Sequence, residues 1–149
     1  MASGDHFYTT SESERDDAVS TYGHSFEMVA CYVPTVPVVG SAPLYRLVHD
    51  DSGEHFYTAS ESERDDAVTR YGYRIEQVAC FLFRTQVEGT VPLFRLVNDE
   101  SNDHFYTASA SERDDAVSTY GYREEEVAGF VYEAAQAGSA PFYRLVGAG

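Results

Sequence analysis

Arg46, His55 and Tyr57 stand close together in the chain, and the same trio returns as Arg95, His104 and Tyr106. A third set is split between the two ends, with His6 and Tyr8 near the start and Arg144 near the finish. Each set combines a planar guanidinium fork, an imidazole and a phenol ring. Such a group suits a sugar: the ring packs against C–H faces while the polar groups bond fixed hydroxyls. His6, His55 and His104 are spaced 49 residues apart, as are Arg46, Arg95 and Arg144. The sets are therefore copies carried by one repeated unit, seen most plainly in "DHFYTTSESERDDAV", "EHFYTASESERDDAV" and "DHFYTASASERDDAV". A period of this length marks a repeat architecture.

The unit dictates the elements that hold these side chains. "APLYRLV" (residues 42–48) reads as a strand entered through Gly40 and Pro43, "HDDSGE" as a polar turn, and "HFYT" (residues 55–58) as a second strand, so the pair forms a hairpin. Ser60 and Glu63 have the spacing of a capping box, as do Ser11 with Glu14 and Ser109 with Glu112. A helix follows, with Arg64, Ala67, Val68 and Tyr71 on one stripe, and Gly72 ends it, as Gly23 and Gly121 end its copies. "IEQVACFLF" (residues 75–83) reads as a third strand. Strand alternation places Phe56 and Leu47 toward the core and Arg46, His55 and Tyr57 on the other face, with Arg46 opposite Tyr57.

The fold class expected is α+β, with three strand-strand-helix-strand units in one domain. The units cover roughly residues 1–42 together with 140–149, then 43–91, then 92–139. The chain opens on a second strand and closes on a lone first strand, "APFYRLV" (residues 140–146). The expectation is a closed, propeller-like ring with pseudo-threefold symmetry and both termini in one hairpin, because an open solenoid would need capping repeats.

Other repeated residues have plainer readings. Glu14, Glu63 and Glu112 are explained by capping, "RDD" by a solvated helix face, and Phe7, Phe56 and Phe105 by the core. Asp50, Asp51, Asp99 and Glu100 are oxygen ligands of the kind calcium takes, but the third turn lacks counterparts and no calcium-loop spacing is met, so no metal and no cofactor are expected. Cys31 and Cys80, with Gly129 at the third position, read as free buried thiols.

A net charge of −15 removes the basic patch that nucleic acid or an anionic membrane requires. All the basic residues other than histidine are Arg, and six of the ten recur in all three repeats, which favours bidentate contacts over general solubility. No apolar run spans a bilayer and no signal peptide is visible, so the expectation is a cytoplasmic protein, or one released without such a signal. No nucleophile motif, phosphate loop or zinc signature occurs, and threefold copying of every candidate argues against an enzyme.

The pattern "LYR", short turn, "G-x-HFYT", "S-x-x-E-R", "E-x-V-A" resembles a repeat family of fungal and bacterial proteins described as a domain of unknown function; here it reads "LYRLVHDDSGEHFYTASESERDDAV…YGYRIEQVACF". The resemblance covers essentially the whole chain three times. It implies a lectin-like role, since bacterial relatives sit beside secreted hydrolases and stand-alone fungal ones look like lectins. It carries over no binding residues. The function expected is a carbohydrate-binding protein with up to three equivalent glycan sites on the sets named above. The alternative is a protein-interaction or structural ring that binds no sugar, and either reading leaves room for an oligomer.

Overall fold

The computed structural model describes residues 5–147. The chain runs β1 (His6–Thr9), α1 (Glu12–Ser20), β2 (Ser25–Pro34), β3 (Ser41–His49), β4 (His55–Thr58), α2 (Glu61–Arg70), β5 (Tyr73–Phe83), β6 (Thr90–Asn98), β7 (His104–Thr107), α3 (Ala110–Thr119), β8 (Tyr122–Tyr132) and β9 (Ser139–Val146). The fold is α+β, with three helices and nine antiparallel strands in a repeating strand-strand-helix-strand order.

Each repeat builds a three-stranded sheet: β4-β3-β5, β7-β6-β8 and β1-β9-β2. The hairpin register is the expected one, with Arg46 opposite Tyr57 and Arg95 opposite Tyr106. In the first repeat the partner strand comes from the far end of the chain, where Arg144 faces Tyr8 and Leu145 faces Phe7. Single bridging pairs join the sheets, Tyr32 to Tyr132 and Phe83 to Phe130.

The third strands each carry two bulges. Against β3, strand β5 has Glu76 and Ala79 as its extra residues; Glu125 and Ala128 play that part in β8, and Glu27 and Ala30 in β2. A bulge re-aims a side chain. This accounts for the "E-x-V-A" signature: the glutamate at the first bulge turns toward the arginine of the neighbouring strand.

Each helix starts at a serine N-cap whose side chain accepts from the glutamate N–H three residues on. Only one buried side chain per helix packs inward, namely Ala18, Ala67 and Ala116. The expected stripe is mostly open, for Val68 is 40% exposed and Tyr71 63%. The "RDD" face also differs from expectation. Arg15, Arg64 and Arg113 lie over the rings of Tyr143, Tyr45 and Phe94 at 4.4–4.5 Å, so the guanidinium covers the sheet while its aspartate neighbour stays in water.

The sheets are buried on both faces, which shifts the location of the core. On one face, small clusters such as Leu47, Phe56 and Ala67 fill the space under each helix. On the other, residues of all three repeats meet in one cluster that includes Tyr8, Tyr57, Tyr106, Leu44, Leu82, Leu93 and Phe142. Cys31 and Cys80 are free and buried there. At the third equivalent position, Leu82 fills the space a side chain would need: a Cβ on Gly129 would lie 2.5 Å from Leu82 Cδ1.

Candidate functional site

Tyr8, Tyr57 and Tyr106 are at most 1% exposed, so they do not form the ligand face expected of them. Alternation puts them opposite Phe56 and its copies as foreseen, but that face is covered by the other repeats. Each phenol bridges the backbone of the next tyrosine. The Tyr57 hydroxyl donates to the Tyr8 carbonyl at 2.9 Å and accepts the Tyr8 N–H at 2.7 Å. Tyr106 serves Tyr57 in the same way, at 2.7 and 2.8 Å, and Tyr8 serves Tyr106, at 2.9 and 2.7 Å. The three rings stand edge to face at 5.3–5.4 Å. Burial pushes the Tyr8 and Tyr57 phenols well above their ordinary value, so they remain donors.

Arg46, Arg95 and Arg144 are each 4% exposed. Arg46 grips both carboxylate oxygens of Glu14 in the preceding repeat at 2.9 and 2.8 Å, and its Nε donates to the bulge residue Glu76 at 2.8 Å. Arg95 holds Glu63 and Glu125 alike, and adds Glu126. Arg144 holds Glu112 and Glu27. Each guanidinium also lies over a phenylalanine of the preceding repeat, Phe7, Phe56 or Phe105. The capping-box reading is thus half right. The serine caps the helix, but the glutamate side chain turns to the neighbouring arginine, and the serine N–H is satisfied by the threonine of "HFYT". That threonine hydroxyl in turn donates to the same glutamate. Burial would raise these glutamates. The hydrogen bonds from arginine and threonine outweigh it and hold Glu14, Glu63 and Glu112 below their ordinary value.

The histidines show where the repeats differ. His55 sits against Asp5, its backbone N–H on Oδ1 at 3.0 Å and its Nδ1 2.7 Å from Oδ2. His6 meets Asp103 through the same two atoms. Burial would lower both rings, yet the carboxylates, aided by Glu76 and Glu27, hold each up at about 9. The residue that should serve His104 is Glu54, one methylene longer. His104 Nδ1 is buried with no hydrogen-bond partner among the described residues, and burial together with Arg95 lowers the ring to about 4. Burial, with Asp5 and Asp103 nearby, pushes the Glu54 carboxyl up to about 7.

Between adjacent repeats lie open clefts. One, of about 600 Å³, runs between the first and second repeats and is floored by Arg46, His55, Glu14 and Glu76, with Asp17 and Tyr22 on its helix side. Another, of about 610 Å³, runs between the second and third and repeats that lining as Arg95, His104, Glu63, Glu125, Asp66 and Tyr71. The arginine and histidine of two of the three expected sets therefore do reach a cleft, while the tyrosine behind them does not. Tyr22 and Tyr71, 73% and 63% exposed, supply the aromatic surface instead. Their 49-residue recurrence was visible in the sequence, but a tyrosine on a helical stripe reads as core. At the third interface, where His6 and Arg144 sit, buried Tyr122 donates to Asp103 and fills the position that His24 and Tyr73 take in the two clefts. Its outer turn falls on residues 1–4 and 148–149, outside the described residues, and with it the expectation about a third acidic turn.

Among the described residues no group of His, Cys, Asp or Glu is arranged to hold a metal ion, and no helix is long and apolar enough to cross a membrane.

The sheet order and the repeated interfaces define the class: an α+β protein of internal repeats with clefts between them. The chain belongs to the family described as a domain of unknown function (DUF5648), which matches residues 1–132 and again residues 72–149, an overlap that itself points to internal repetition. No curated protein and no solved structure matches the chain.

Proposed function

We propose that this chain is a carbohydrate-binding module, a lectin without catalytic activity, whose glycan sites are the clefts between adjacent repeats. The observation that carries the reading is the recurrence of one cleft at two interfaces, each with an exposed tyrosine above a floor of hydrogen-bonding Arg, His and Glu. A flat aromatic beside fixed polar groups matches a pyranose, which offers a C–H face and a rim of hydroxyls. Copying a weak site raises avidity when both engage one surface.

The scaffold we propose for these sites is a closed ring of pseudo-threefold symmetry, with residues 5–9 and 140–146 completing one repeat. Two cycles support closure. The tyrosine hydrogen bonds pass from Tyr57 to Tyr8 to Tyr106 and back, and the arginine clamps pass from each repeat to the one before it. A rigid ring keeps the clefts at fixed separation.

A second reading, a protein-interaction ring, has its own observation: the linker after β2 exposes Val36 at 60% and Val39 at 99%. A glycan array separates the two. The chain should bind glycan-coated surfaces, and Tyr22→Ala with Tyr71→Ala should weaken that binding while leaving the melt unchanged. Loss of one aromatic stack removes ~1 kcal/mol, about fivefold per cleft. An array without hits at high protein concentration favours the interaction ring.

A further inference from the structure

Resting on the glycan reading, we infer that the clefts select cationic sugars, glycans with free amino groups, over their N-acetylated, neutral and acidic counterparts. The floor cations are already committed. Arg46 spends both terminal nitrogens on Glu14 and its Nε on Glu76, and Arg95 is shared among Glu63, Glu125 and Glu126. A sulfate or uronate entering either cleft meets no unpaired guanidinium on that floor, and must approach several carboxylates.

The unpaired charge that the clefts leave open to solvent is anionic, for the exposed cation of the second cleft, Arg123, is already paired with Asp99 at 2.9 Å. Asp17 is exposed on the helix side of the first cleft and forms no ion pair among the described residues. Its counterpart Asp66 has only a loose contact, 3.7 Å, with exposed Arg70. The second cleft adds Glu54. This carboxyl is pushed up to about 7 by burial and by Asp5 and Asp103, so it is largely protonated at pH about 6, and an arriving ammonium would favour its ionised form.

Two further features point the same way. Tyr22 and Tyr71 follow the C-terminal ends of α1 and α2, where the helix dipole favours positive charge, and α1 has no basic residue in its last turn. An exposed tyrosine face attracts an ammonium as well as a pyranose C–H face. The chain's −15 charge supplies a long-range field of the matching sign. N-acetylation removes the cation and leaves one neutral N–H donor where the ammonium has three charged ones.

The test is calorimetry of the full chain with four probes of equal length: a glucosamine oligomer, its N-acetylated form, a glucose oligomer and oligolysine. At pH about 6 and about 50 mM salt, the glucosamine oligomer should bind about tenfold tighter than the other two sugars, the worth of one charge-assisted contact. The ratio should shrink at about 500 mM salt, where screening shortens to a few ångströms. Asp17→Asn with Asp66→Asn, both at exposed positions that leave the fold intact, should narrow it too. If the N-acetylated or glucose oligomer binds as tightly as the amine, the selectivity is wrong and the glycan reading stands. If oligolysine matches the glucosamine oligomer, bare charge is recognised and amino-sugar selection is refuted. If no sugar binds at high concentration, both inferences fall.

Discussion

Glu54→Asp should supply the Nδ1 partner that His104, alone of the three repeated histidines His6, His55 and His104, lacks among the described residues. In the other two interfaces an aspartate spans the backbone N–H and Nδ1 of the histidine, at 3.0 and 2.7 Å for His55. At His104 the equivalent residue is Glu54, one methylene longer; no hydrogen bond joins the two among the described residues, and Nδ1 is orphaned. His104 therefore releases its proton near 4 in the native fold, against 6.5 for an unperturbed ring. Between those values the unfolded chain binds the proton and the native fold does not, so His104 costs stability as pH falls from 6.5 toward 4. With the shorter carboxylate in place, His104 should behave as His55 does, at about 9. A raised histidine contributes stability that is fully present below 6.5 and is lost as pH rises through about 9. At pH about 7 the gain should be roughly 2 kcal/mol, in the range of a charge-assisted hydrogen bond. For a chain of this size that raises Tm by ~4–8 °C. The gain should grow toward pH about 5, where the unrepaired chain is penalised. Melts across pH and an NMR titration of the His104 ring measure both quantities. The reasoning is refuted if the ring still titrates below 6.5 and the two melts coincide from pH about 5 to about 8.

Three more perturbations probe the scaffold. Tyr57→Phe removes the hydroxyl that serves both the N–H and the carbonyl of Tyr8; two buried groups lose their partner, so chemical denaturation should show a loss of ~2–4 kcal/mol. Gly129→Ala should cost ~1–3 kcal/mol, since Leu82 must leave a packed position, and Gly129→Ala with Leu82→Ala should cost less than the sum of the two single losses. Deleting residues 140–149 removes the strand that pairs with both β1 and β2, and the cooperative transition should disappear from calorimetry; a truncated chain that melts like the full one would contradict ring closure.

The elements were legible because the sequence repeats them. "HFYT" was placed at residues 55–58, the observed span of β4, and the third strand and the helix each differ by two residues at one end. The register of Arg46 against Tyr57 is the one expected, though alternation fixes only the face, which His55 shares with Tyr57, and the turn fixes the rest. What alternation could not say is which face water reaches. It assigns Tyr57 to the side opposite Phe56, and only the meeting of three repeats reveals that side to be the centre of the molecule. The role of Glu14 was hidden for a related reason. A serine three residues earlier gave a local explanation, while its true partner, Arg46, lies 32 residues away across a repeat boundary. The bulges that aim Glu27, Glu76 and Glu125 have no Gly or Pro beside these glutamates to announce them, so the sequence carries no sign that the shared glutamate turns to the arginine. Nothing in the sequence marks Tyr22 and Tyr71 as exposed, since helical spacing places Tyr71 on one stripe with Ala67, whereas these short helices bury a single alanine each.

The central claim is that the clefts between repeats hold sugar through Tyr22 and Tyr71. Its most direct measurement is the chemical-shift response of these two tyrosine rings, with Tyr120 as the third copy, to a titrated amino-sugar oligomer. The account predicts that the Tyr22 and Tyr71 signals move in a saturable way together with His55 and His104 on the cleft floors, while the buried Tyr8, Tyr57 and Tyr106 signals stay still. Saturable binding that leaves Tyr22 and Tyr71 unmoved and shifts residues elsewhere would contradict it.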